Sequence, residues 1–102
     1  MIHVVARIKA KQRCGPQLVD AFKELLPQVH AETGCVAYEA TIDARTDIDR
    51  QEPVDADAVT MVERWESLEH LKAHLVAPHM LEFRTKTKDL IEGAELRILE
   101  QT

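Results

Sequence analysis

Residues 58–80 read AVTMVERWESLEHLKAHLVAPHM, and within them one period of apolar spacing gives way to another. From Ala58 to Trp65 apolar and polar side chains roughly alternate, the period-two pattern of a half-buried strand. After Ser67, the leucines at 68, 71 and 75 recur at three and four residues, as on a helix with one apolar stripe. Ser67 carries the short hydroxyl that caps a helix N-terminus, and Pro78 suits the first turn of a further helix running to about Ile91. A strand is therefore followed by a helical region broken in two.

Working outward, Ile2 to Lys9 is β-branched and nearly continuously apolar, a first strand. The turn KQRCGP follows, and Pro16 opens a helix in which Leu18, Ala21, Phe22, Leu25, Leu26 and Val29 form one stripe. Pro27 is expected to kink that helix and Gly34 to end it. Val36 to Ile42 reads as a second strand. The stretch DARTDIDRQEPVDAD then has six carboxylates, two arginines and no apolar face, an exposed connection or long hairpin arm. It lacks the D-x-D-x-D-G order of a calcium loop. Leu96 to Leu99 supplies a last strand. The order β-α-β-β-α-β predicts an α+β, ferredoxin-like domain spanning residues 1–102, an antiparallel sheet with helices on one face.

Alternation leaves Val5, Thr60 and Val62 on the sheet face opposite Ile2, Val4, Val59 and Met61. An antiparallel sheet can keep one face wet, but these strands offer few charges for it. A second copy would cover that face, so a homodimer is expected.

The composition of the 102 residues, 45% hydrophobic and 30% charged, excludes disorder, and no apolar run approaches a membrane span. MIHVVARIKA opens as a strand without the features of a signal peptide, so a cytoplasmic protein is expected. A net charge of −5 and scattered basic residues argue against a nucleic-acid partner. Cys14 and Cys35 fit neither a metal spacing nor a redox pair and read as small hydrophobes.

Three of the five histidines, His70, His74 and His79, fall within ten residues. On the helix wheel His74 lies roughly 60° from Leu71, at the edge of the buried sector, and His70 roughly 100° away, toward water. Leu71 stands where the H-E-x-x-H motif needs glutamate, and spacing suggests no third ligand, so no metal site is predicted. On the preceding strand, alternation puts Met61, Glu63 and Trp65 on the helix-facing side. A carboxylate there is expensive unless paired or protonated. Glu63 then either reaches the rim or pairs structurally with an arginine or histidine, or it is a site acid or base with a raised pKa. Trp65 and Tyr38 each read as a core anchor or a cavity wall.

The segment from Glu63 to Met80, ERWESLEHLKAHLVAPHM, resembles the signature of the antibiotic biosynthesis monooxygenase family. With ETGCVAYE around residue 35 and RILE near the end, the likeness runs from Met1 to Gln101 and is greatest to the quinol monooxygenase branch. It implies a dimeric α+β barrel, two protomers packed sheet to sheet, each with a pocket between sheet and helices. It also implies oxygenation of a small hydroquinone or phenol by O2 without flavin, haem or metal. The three glycines, Gly15, Gly34 and Gly93, form no phosphate-binding loop, which is compatible with that.

An ionised hydroquinone is electron-rich enough to reduce triplet oxygen, so a base, polar contacts to the anion and a dry pocket are what the protein must supply. A base poised near neutral pH is best met by histidine. On this reading His74 and His79 are the base candidates, Glu63 orients an imidazole or a substrate hydroxyl, and Trp65, Met61, Tyr38 and Phe83 line the cavity. Two departures narrow the class. Met61 stands where polyketide-tailoring relatives carry an asparagine. The helix MLEFRTKTKDLIE lacks the axial histidine of haem-degrading cousins. Two other functions fit the same fold: a cofactor-free isomerase or decarboxylase, and a non-catalytic stress protein that holds an aromatic ligand.

Overall fold

The computed structural model describes all residues from Met1 to Thr102. Its elements follow the order β1 (Ile2–Ala10), α1 (Gly15–His30), β2 (Cys35–Ile42), β3 (Ala58–Trp65), α2 (Leu68–Leu75), α3 (Pro78–Thr87) and β4 (Ile91–Glu100), with a 3-10 turn at Lys88–Leu90. The four strands form one antiparallel sheet in the order β2-β3-β1-β4. This is the ferredoxin-like α+β arrangement, with the helices packed on one sheet face.

The core lies between these layers. From α1 it takes Leu18, Phe22, Leu25 and Val29, from the sheet Val4, Val59, Met61 and Trp65, and from the last helices Leu71, Met80 and Phe83. Cross-strand partners share a face. The pairs Val4–Glu63, Ala6–Met61 and Tyr38–Glu63 therefore all look toward the helices. Ser67 caps α2 as expected, its Oγ accepting from the His70 backbone N–H at 3.2 Å. Pro27 lies within α1, which runs on to His30.

Three boundaries differ by more than one residue from the sequence expectation. The helix starting at Pro78 ends at Thr87 rather than near Ile91, and β4 runs from Ile91 to Glu100 rather than only over Leu96–Leu99. The extra strand residues pair with β1, Ile8 facing Ala94 and Lys9 facing Gly93, so long-range pairing overrides their weak local pattern. Helix α1 ends at His30, four residues before Gly34. Gly34 instead turns the chain into β2 with φ +84°.

His70 was expected to face water, and it is half-buried. Its ring packs over Gly34, and its Nδ1 is 2.7 Å from Ser67 Oγ. A Cβ at residue 34 would overlap that ring and would hold an L-residue at positive φ. Gly34→Ala should therefore lower stability by about 1–3 kcal/mol, read as a fall in thermal midpoint by circular dichroism.

The acidic connection is exposed but tethered at its ends. Arg7 forms a two-pronged pair with Asp43, both contacts 2.9 Å, and holds that carboxyl down at about 2. Asp57 accepts from the backbone N–H groups of Arg13 and Gly15 at 3.1 Å each, satisfying donors at the start of α1 where Cys14 offers no side-chain cap. No helix is long and apolar enough to cross a membrane.

Candidate active site

Between the sheet and the C-terminal helices lies an apolar cavity of about 460 Å3. Its wall includes Ala6 and Ile8 of β1, Phe22 of α1, Tyr38 of β2, Met61 and Glu63 of β3, His74 of α2, Met80 and Phe83 of α3 and Leu96 of β4. Exposed Arg84, Lys88 and Glu95 stand at its rim. The volume is in the range of sites for small organic ligands.

Only a few titratable groups reach this space, and burial governs each. His74 is 2% exposed, with the Trp65 ring 4.6 Å from its own centroid and the Tyr38 ring edge-on at 5.3 Å. Its Nδ1 lies 2.8 Å from Glu32 Oε2. A carboxylate only accepts, so Nδ1 carries the proton and donates, which leaves the Nε2 lone pair free. Burial depresses the His74 pKa below the usual 6.5, opposed by the Glu32 hydrogen bond and charge, so the ring is neutral at pH 7. Burial likewise raises the Glu63 and Tyr38 pKa values, and the phenol stays protonated. Glu63 Oε1 accepts from Trp65 Nε1 at 3.0 Å.

Five of the seven side chains singled out from the sequence meet at this cavity: His74, Glu63, Met61, Tyr38 and Phe83. The other two do not. Trp65 is fully buried and packs behind His74, backing the imidazole without touching the cavity. His79 lies in a separate shallow groove between α1 and α3, with Gln28, Glu82 and Lys86. Its Nε2 contacts the same Glu32 Oε2 at 2.8 Å, so one carboxylate oxygen ties the two imidazoles together.

Glu63 was expected to orient an imidazole or a substrate hydroxyl, and it is not the carboxylate that contacts the imidazoles. Glu63 is held by the tryptophan two residues on, whereas Glu32 holds both histidines. Nothing in local spacing marks Glu32, which sits in the turn after α1, some forty residues from its partners. Its only sequence signal is that it opens the stretch ETGCVAYE. No group of three or more His, Cys, Asp or Glu side chains is arranged to hold a metal ion.

A helix-backed antiparallel sheet enclosing an apolar cavity with a buried carboxylate–imidazole pair defines a ferredoxin-like α+β protein with the makings of an acid–base site. Residues 1–86 match the model of the antibiotic biosynthesis monooxygenase family, and the chain belongs to that family. It is 32% identical over 102 residues to the "Probable quinol monooxygenase YgiN" of Escherichia coli K12, covering 98% of this chain and 97% of that one. Its fold is similar to that of PA3566 from Pseudomonas aeruginosa, with a TM-score of 0.83, 22% identity and coverage of 99% and 93%. It is also similar to the fold of Rv0793 from Mycobacterium tuberculosis, with a TM-score of 0.81, 22% identity and coverage of 99% and 94%. The last two likenesses are of fold.

Proposed function

We propose that this protein is a monooxygenase that oxidises a small hydroquinone or phenol with O2, drawing on its own side chains and on no metal or organic cofactor. The observation that carries the reading is the neutral His74 in the cavity wall, its Nδ1 engaged by Glu32 and its Nε2 unengaged. Family membership and the quinol monooxygenase relative support the same chemistry.

In this scheme Nε2 of His74 takes the hydroxyl proton of the bound hydroquinone, and Glu32 stabilises the imidazolium that forms. The resulting anion passes one electron to O2, giving a semiquinone and superoxide. These combine at a ring carbon to a hydroperoxide, which loses water and leaves a hydroxylated quinone. One oxygen atom enters the product and the other leaves as water, so hydroquinone plus O2 balances hydroxyquinone plus water. Met61, Phe22 and Phe83 keep the space apolar, where charges on the anion and its partners interact more strongly than in water. The protonated Tyr38 can donate a hydrogen bond to a substrate oxygen.

The test is oxygen uptake across a panel of hydroquinones with chelator-treated protein, against a protein-free control for autoxidation. We expect one O2 consumed per hydroxylated quinone, with a single labelled oxygen in the product from 18O2. Product without incorporated label, or uptake no faster than the control, would refute the assignment.

We also propose that the working form is a homodimer. On the sheet face turned away from the helices, Leu99 of β4 and Val62 of β3 are 45% and 41% exposed. On that outer side the His3 Nε2 is shielded from solvent without a hydrogen-bond partner. A second sheet would cover the apolar side chains and supply an acceptor or donor for His3. Light scattering should give twice the chain mass; a monomer mass at every concentration would exclude the dimer.

A further inference from the structure

The cavity is asymmetric in charge, and that asymmetry selects among ligands. Its interior is lined by apolar side chains together with His74 and the Tyr38 phenol, which burial holds neutral, and the Glu63 carboxyl, whose pKa burial raises and whose Oε1 accepts from Trp65. Cationic groups stand only at the rim, where Arg84 and Lys88 occupy positions four apart on the segment leading out of α3. Four-residue spacing puts two side chains on one helical face, so both address the same opening. Neither makes an ion pair within the chain, although Arg7, Lys9 and Lys86 all do. The rim carboxylate, Glu95, is directly across the strand pair from Arg7, whose charge it answers. The opening therefore presents two uncommitted positive charges beside an apolar chamber.

We infer that the ligand is an aromatic ring bearing an anionic group, a carboxylate or its equivalent, with the ring in the chamber and the anion between Arg84 and Lys88. This deepens the function proposed above by naming the substrate class, and it rests on that reading for the ring. The substituent would lie away from the hydroxyl presented to His74, since the imidazole is deep in the wall and the cations are at the mouth. Arg84 is also near enough to His74 for its charge to help keep that ring neutral, an effect a bound anion would weaken. Occupancy of the rim would then make His74 a better base when substrate is in place.

Binding can be measured without turnover, which separates this inference from the oxidation itself. We would titrate the protein calorimetrically with 2-naphthol and with 6-hydroxy-2-naphthoate, which share ring and hydroxyl and differ in the carboxylate. At low salt the carboxylated probe should bind about fivefold more tightly, the scale of two solvent-exposed ion pairs. That preference should shrink toward unity in the double variant Arg84→Gln/Lys88→Gln, and in the native protein at roughly 0.5 M salt. Circular dichroism of the variant controls for folding. Equal affinities in the native protein, or a preference that survives both substitutions, would overturn the inference. A preserved carboxylate preference in a protein that oxidises no hydroquinone would leave the inference standing and remove the monooxygenase reading. Oxidation of neutral hydroquinones with no carboxylate preference would do the reverse.

Discussion

His74→Ala should lower kcat for hydroquinone oxidation by about a hundredfold or more, because it deletes the one imidazole in the cavity wall, neutral and with its Nε2 lone pair free to take a proton. His79→Ala should cost less, since that ring lies outside the cavity and only shares Glu32. Full activity in both variants would rule out the acid–base scheme. The pH profile tests the same group in the native protein. A base must be unprotonated, so the rate should climb with pH through the His74 pKa, which burial sets below 6.5, and level off above it. Replacing Glu32 by Gln removes the charge that props this pKa up. The acid limb should then move to still lower pH, and the plateau should drop by roughly tenfold, as a weaker base abstracts the proton more slowly. An acid limb that stays in place would mean that another group titrates.

Trp65→Ala should have the largest effect on stability. The side chain is fully buried, supports the His74 ring at 4.6 Å and gives Glu63 its hydrogen bond. Truncating a buried tryptophan costs about 3–5 kcal/mol. The folded state of a domain this size has only about 5–15 kcal/mol in hand. A fall of roughly 15–30 °C in the thermal midpoint follows. Trp65→Phe keeps most of the apolar volume but strips Glu63 of its donor, and should fall between the native protein and the alanine variant. A midpoint within a few degrees of the native value for Trp65→Ala would show that the core does not depend on this anchor.

The same histidine links stability to acid. Its folded pKa lies below the unfolded value of 6.5, so the unfolded chain binds the proton more readily. The contribution of neutral His74 is present above that value and declines as the pH falls through the window below it.

Much of this architecture can be read from local pattern. The alternation in β3, the leucine spacing in α2, the serine cap and the proline at the start of α3 are short-range signals, and each element lies where they put it. The alternation also foretold that Glu63 would point toward the helices, since side-chain direction in a strand follows from parity alone. The ends of elements were less legible. Strand β4 owes residues 91–95 to pairing with β1, and Gly34 owes its conformation to a turn beyond the helix end.

From the sequence alone came the fold class and the buried stripes, because hydrophobic periodicity and backbone sterics act over a few residues; of the cavity wall, only Tyr38, Met61, Glu63, His74 and Phe83 were named beforehand, their place there implied by the family resemblance. Which carboxylate serves the histidines was decided only when the chain closed on itself. Glu32 and His74 are separated by 42 residues. No periodicity records a contact that exists because the turn after α1 packs beside α2 and the start of α3. Tertiary packing likewise put Trp65 behind the imidazole and moved His79 to an outer groove, since a side chain's position relative to a cavity depends on every layer that encloses it.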